Sequence, residues 1–350
     1  MSIKSIYYLL MLAPLMFSCE MGSEMNFDDT YVIDSKIYQY DIGDSATTFI
    51  TEGFNPIVLP KSNNMLYVIY KEVETTLLIH NFETGKNLNL YNSFLMYNEF
   101  SVSPDENYLT FIKRNELKRL NLNSSSLETL FSTTNHLMDY PHPQYSSDGK
   151  KIISLYNKTY SGGKYNSDSV YISIYDFDQK KAFLLDTLYL RNNDKLNAGF
   201  IEDSEKFYFL REGYHPKSHI WQIELTIYNN TYPSTFYDII RIYPDSYESK
   251  YSVYNQNNLI IYENNEILFY DLTSGEFLHK INFDRKFRSI RNVKNTNYLI
   301  GLIEDNIYLL NIDGEILNVI QPNVKDTIVW ADFFEKENKI IFRTEEHYYL

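Results

Sequence analysis

The sequence predicts an all-β domain built from one repeated four-stranded unit, and three observations carry that prediction. The chain has 33 Tyr and 22 Phe against only 12 Gly and 10 Pro, and flat aromatic rings pack well on a pleated, half-buried surface. A hydrophobic strand preceded by a polar turn recurs seven times, at intervals of about 40 to 55 residues. Beyond the first 18 residues the 3.6-residue apolar period of helices is nearly absent. Strands in sets of four at that interval close into a ring, so the expected fold is a β-propeller. Seven blades fit the repeats, with six and eight as the adjacent counts.

Taken in order, residues 1–18 come first. Lys4 supplies a positive start, and Ile6 to Phe17 form an apolar run of about a dozen residues, the length of a signal-peptide core and too short to span a bilayer. Small Ser18 precedes Cys19, the only cysteine of the chain. This arrangement resembles the lipobox of bacterial lipoproteins, which implies removal of 1–18, lipidation of Cys19 and membrane attachment through the acyl chains. Met16 and Phe17 depart from the commoner lipobox residues. A lone cysteine in an exported chain has no disulfide partner, and two or three acyl chains anchor stably where one does not. Residues 19–30 are polar and aperiodic and read as a flexible tether. Their acidic start resembles the surface-export signals of Bacteroidetes lipoproteins. The implied address is the outer membrane, on its periplasmic or its surface side.

Residues 31–350 then form the propeller domain. Its clearest hairpins are Phe100-Ser-Val-Ser-Pro-Asp-Glu-Asn-Tyr-Leu-Thr-Phe-Ile112, Pro143-Gln-Tyr-Ser-Ser-Asp-Gly-Lys-Lys-Ile-Ile-Ser-Leu155 and Phe200-Ile-Glu-Asp-Ser-Glu-Lys-Phe-Tyr-Phe-Leu210. Pro, Asp, Gly and Asn supply the tight turn between two buried strands. These segments resemble the Ser-Pro-Asp-Gly-Lys hairpin of TolB-type, WD-like propeller repeats, although the Gly-His and Trp-Asp marks of true WD repeats are missing. Further second strands are expected at Met65–Tyr70, Asn258–Tyr262, Asn297–Ile303 and Lys339–Phe342. Thr84-Gly85, Ser274-Gly275 and Asp313-Gly314 mark hairpins between third and fourth strands. Three strands are expected at the C-terminus (328–334, 339–342, 347–350), and 36–42 with 47–51 is expected to supply the missing outer strand. On that reading, deleting 347–350 destabilises the whole ring.

Charge bounds the partners. The chain carries −14, and loss of the Lys4-bearing segment makes it one unit more negative. Such a surface repels phosphate backbones and anionic lipid, so nucleic acid is not an expected partner. No His-Glu-x-x-His, Gly-x-Ser-x-Gly, phosphate-binding glycine loop or cysteine pair is present, and no metal or cofactor is expected. His80 and His279 sit in strand patterns and read as structural, and His136 with His142 is one ligand short of a metal site.

Two segments, Asn157–Asp168 and Arg211–Ser218, read as long connections from second to third strands in adjacent blades. They would bring Tyr160, Lys164, Tyr165, Tyr214, His215 and Lys217 to one rim, where rings stack and hydroxyls bond to sugars or peptides. The expected function is therefore a lipid-anchored, non-catalytic binding or scaffold protein for a protein or glycan partner. The alternative is a carbohydrate-active hydrolase or lyase with carboxylates in the central channel.

Overall fold

The structure, a computed structural model, describes residues 30–349 apart from 72–73, 93–99, 114–115, 133–142, 158–168, 190–194, 202–205, 216–219, 230–235, 243–249, 255–257, 264 and 294–295. Among the described residues, 28 strands form seven four-stranded antiparallel sheets. The first six blades each take four consecutive strands, from Phe54–Leu59 in blade 1 to Ile316–Ile320 in blade 6. The first strands of blades 2 and 3, 3 and 4, and 5 and 6 touch one another, so they are innermost. Fourth strands such as Leu127–Ser132 and Phe277–Asn282 are largely exposed. This is the expected seven-bladed propeller.

The seventh blade is shared between the chain ends, as expected, but two strands from each rather than three and one. Its order from the axis outward is Thr327–Phe334, Lys339–Tyr349, Thr30–Asp41 and Ala46–Glu52. The expected break after Phe342 does not occur. Arg343-Thr-Glu-Glu is polar, yet Arg343 and Glu345 pair at 2.9 Å and Thr344 is fully buried, so the strand runs on to Tyr349. Residues 347–349 pair only with Thr30, Tyr31 and Val32, beyond the last innermost pairing, Thr327 with Glu345. Deleting 347–350 therefore trims an end and leaves the ring closed.

Seven hydrophobic clusters fill the seven junctions between neighbouring blades. In blade 4, Phe207 and Phe209 pack towards blade 3 with Ile153 and Ile172, while Tyr208 and Leu210 pack towards blade 5 with Leu259 and Ile261. The same alternation sends Ile340 and Phe342 towards blade 6, and Ile341 towards blade 1. Second strands are thus buried on both faces, which is why they read as nearly unbroken apolar runs. The junction that closes the ring joins Ile37 and Ile341 of blade 7 to Met65 and Tyr67 of blade 1. Several glycines stand too close to a neighbour to carry a side chain, and Gly301 shows why. A Cβ at Gly301 would lie 2.3 Å from Phe287, itself buried and held edge-on by Phe283 and Tyr308. Gly301→Ala is expected to cost about 1–3 kcal/mol, read from urea denaturation; an unchanged midpoint would contradict this packing.

The turns repeat their chemistry. Ser103 and Ser146 hydroxyls donate to Asp105 and Asp148, and accept from the Tyr108 and Lys151 backbone N–H at 3.0 and 2.9 Å. Burial works against both carboxylates, but the Ser and backbone hydrogen bonds outweigh it and lower both pKa values. The stability they contribute is present above the usual carboxylate range and is lost as pH falls through their lowered values. Asp105→Ala and Asp148→Ala should each cost about 0.5–1.5 kcal/mol near neutral pH, with the deficit vanishing in strong acid; a pH-independent deficit would contradict this. At the other turn, an Asn or Asp closing the third strand accepts backbone N–H bonds from the turn: Asp41, Asn81, Asn121, Asp176, Asp271 and Asn311.

Candidate functional site

Antiparallel alternation gives the ring two chemically different faces. The turns joining first to second and third to fourth strands lie on one, here the turn face. The connections joining second to third strands, and one blade to the next, lie on the other, the connection face. In blades 1, 2, 5 and 6 the second-to-third connection is two residues long. In blade 3 it is 11 residues, between Asn157 and Ser169. In blade 4 the two strands themselves lengthen to Lys206–His215 and Ile220–Asn229, 10 residues each.

The blade 4 hairpin corrects one expectation. Arg211–His215 is strand rather than loop, because Ile220–Ile223 supplies a β-rich partner and the ladder continues. Arg211 is ion-paired with Glu224 across it. The innermost strand stops pairing at Glu212 and the outer strand at Ile223. Residues 213–215 and 220–222 therefore project beyond their own blade as a two-stranded hairpin, with Tyr214 opposite Trp221 and His215 opposite Ile220. Tyr160, Lys164, Tyr165 and Lys217 lie outside the described residues, as do Cys19, His136 and His142.

Two clefts between neighbouring blades, each bordered by an inter-blade connection on the connection face, had no counterpart in the sequence reading. One, of about 410 Å³, lies between blades 6 and 7 and is lined by Lys36, Tyr38, Thr47, Phe49, Asn323 and Asp326. Lys36 Nζ is 3.0 Å from Asp326 and 3.9 Å from Glu346. Tyr38 stacks on Phe342 and meets Phe49 edge-on, while the Phe49 ring stays about half exposed, at 52%. Burial raises the Tyr38 pKa, so its phenol is a neutral donor at ordinary pH. The second cleft, of about 380 Å³, lies between blades 5 and 6; Phe283, Phe287, Ile316 and Val319 form its apolar wall, with Arg285 and Gln321 beside them. An exposed aromatic beside fixed polar groups suits polyhydroxyl or peptide ligands, by stacking and hydrogen bonding together.

Nearer the axis, Arg291 of blade 6 reaches Asp332 of blade 7 at 3.1 Å and lies 4.2 Å over the Trp330 ring. Both histidines read as structural are engaged in packing: His80 bonds Asn87 at 2.8 Å and meets Phe82 edge-on, and His279 stacks on Phe269. Among the described residues no three His, Cys, Asp or Glu side chains are grouped to hold a metal ion.

This architecture defines the class: a seven-bladed β-propeller, as the TolB-type hairpins implied. Among solved structures, it is similar to an oligogalacturonate lyase in complex with manganese, at 11% identity and TM-score 0.62, covering 91% of this chain and 97% of that one. The oligogalacturonate lyase of Vibrio parahaemolyticus matches at 10% and 0.61, covering 91% and 98%. The periplasmic gluconolactonase of Pseudomonas aeruginosa matches at 12% and 0.51, covering 84% and 96%. Identities this low show a shared fold alone. No protein-family profile matches the chain, and no curated protein is similar to it in sequence.

Proposed function

We propose that this protein is a lipid-anchored, extracytoplasmic binding or scaffold protein that takes a protein or glycan partner on its connection face without catalysis. One observation carries the reading: the main elaborations of the described blades gather on that face. The 11-residue connection and the lengthened hairpin are there and both clefts border it, whereas the described turns opposite are tight and closed by their own Ser, Asn and Asp side chains. Such one-sided loop variation on a rigid scaffold is how binding surfaces are built.

A glycoside hydrolase would need a pair of uncommitted carboxylates across a cleft. Asp332 and Glu345, on the innermost and second strands of blade 7, are instead matched to Arg291 and Arg343. Two of the solved structures above are lyases, which keeps glycans among the ligands to test.

The test uses the full lipidated chain in detergent on glycan and peptide arrays. Saturable binding without turnover is expected, weakened at least tenfold by Phe49→Ala or Arg285→Ala. Release of product from a polysaccharide, abolished by a single carboxylate substitution, would overturn the proposal. Protease treatment of intact and lysed cells then assigns the side of the membrane: digestion before lysis means the surface, protection until lysis the periplasm.

A further inference from the structure

The termini fix which way the ring hangs. Thr30 pairs with Tyr349 at the connection-face end of blade 7, and its strand runs away from there to Asp41, which heads a turn on the opposite face. A tether attached at Thr30 therefore leaves from the face that borders the clefts and carries the projecting hairpin. From Cys19 to Asp29 it has 11 residues. As a flexible coil these span roughly 18 Å, and fully extended no more than about 38 Å. Strands of six to eight residues give the blades a height of roughly 20–25 Å, so the turn face stands that much farther from an anchoring bilayer.

We infer that the partner of the connection face is a membrane-embedded protein, met with that face turned towards the bilayer. The inference rests on the lipid-anchored reading above. The lipid surface itself is a poor occupant, because a chain of charge −14 is repelled by anionic headgroups. A soluble polymer arriving from the bulk meets the turn face first, where the described turns are tight and polar. What shares the narrow gap with the clefts is the extramembrane part of an integral protein. The mixed lining of Phe283, Ile316 and Arg285 in one cleft, and of Phe49 and Lys36 with Asp326 in the other, matches the mixed apolar and charged chemistry of polypeptide.

The test begins with full-length lipidated protein in phosphatidylethanolamine–phosphatidylglycerol vesicles. Because Cys19 is the only native cysteine and is acylated on this reading, a fluorophore placed through Asp305→Cys or Gln321→Cys reports the connection face alone. Ser125→Cys or Asp313→Cys reports the turn face; all four positions are exposed. Brominated lipid should quench the first pair at least twofold more than the second, and equal quenching would overturn the orientation. Failure of the protein to float with the vesicles would instead refute the lipid anchor. In cells, benzoylphenylalanine at 305 or 321 should form adducts with a protein that resists carbonate extraction. Adducts with a soluble species, adducts from 125 or 313 only, or none from any position would overturn the partner assignment.

Discussion

Ile37→Asp should unfold the ring. Ile37 has no exposed surface and packs with Ile341, Met65 and Tyr67 at the junction that joins the last blade to the first. A carboxylate there is buried among apolar side chains, a change that costs more than about 4 kcal/mol. The loss should be global, because the same strand holds Lys339–Tyr349 over its whole length and seals one sheet edge. Without it the backbone edge of Lys339–Tyr349 and the facing side of blade 1 are bared together. Chemical denaturation with intact-domain proteolysis reads the effect. Thr48→Ala, at an exposed position on the outer strand of the same blade, should stay within about 0.5 kcal/mol of the parent. If Ile37→Asp and the parent melt together, the N-terminal segment does not belong to the ring.

The second large effect is alkaline. Burial raises the pKa of Tyr208 and of Tyr145 far above the ordinary value of 10.0, the latter opposed in part by its bond to the Thr110 hydroxyl. Both phenols are acids whose folded-state pKa exceeds the unfolded one. Their contribution is complete below pH 10 and is lost as pH rises towards the folded values, because only the unfolded chain can release the proton. Each tyrosine then costs up to about 1.4 kcal/mol per pH unit. The parent should lose stability steeply above pH 10, and Tyr208→Phe should flatten that slope while leaving stability at pH 7 nearly unchanged. Tyr145→Phe should flatten it too, at a cost of about 0.5–1.5 kcal/mol at neutral pH for the lost hydrogen bond. Equal slopes in parent and variants would contradict the burial.

The blades were legible because their second strands are buried on both faces. Leu66–Val68, Leu259–Tyr262 and Ile152–Leu155, the last interrupted only by buried Ser154, therefore appear as short apolar runs next to recognisable turns. An additional marker was present and unused: an Asn or Asp ends the third strand of all seven blades, Asn229 in blade 4 included, and in six of them its turn hydrogen bonds are described. It alone would have counted the N-terminal segment as a third and fourth strand. What misled was polarity inside strands. Arg343 to Glu346 looked like a break and Arg211 to Ser218 like a loop, because ion pairs along a strand (Arg343 with Glu345) or across a ladder (Arg211 with Glu224) leave no local trace. The clefts were illegible for a different reason. Lys36 and Asp326 meet across 290 residues of chain, and only ring closure brings them together.

Closure is therefore the claim on which the faces, the clefts and the exit of the tether all depend. It is tested most directly by native-state hydrogen exchange at the amides of Ile37, Tyr38, Gln39 and Tyr40, which pair with Arg343, Phe342, Ile341 and Ile340. The account predicts that these amides exchange only through global unfolding, with the same free energy and denaturant dependence as Ile340–Phe342. Exchange of residues 37–40 at low free energy, while 340–342 remain protected, would show an N-terminal strand that frays from an already complete domain, and would contradict it.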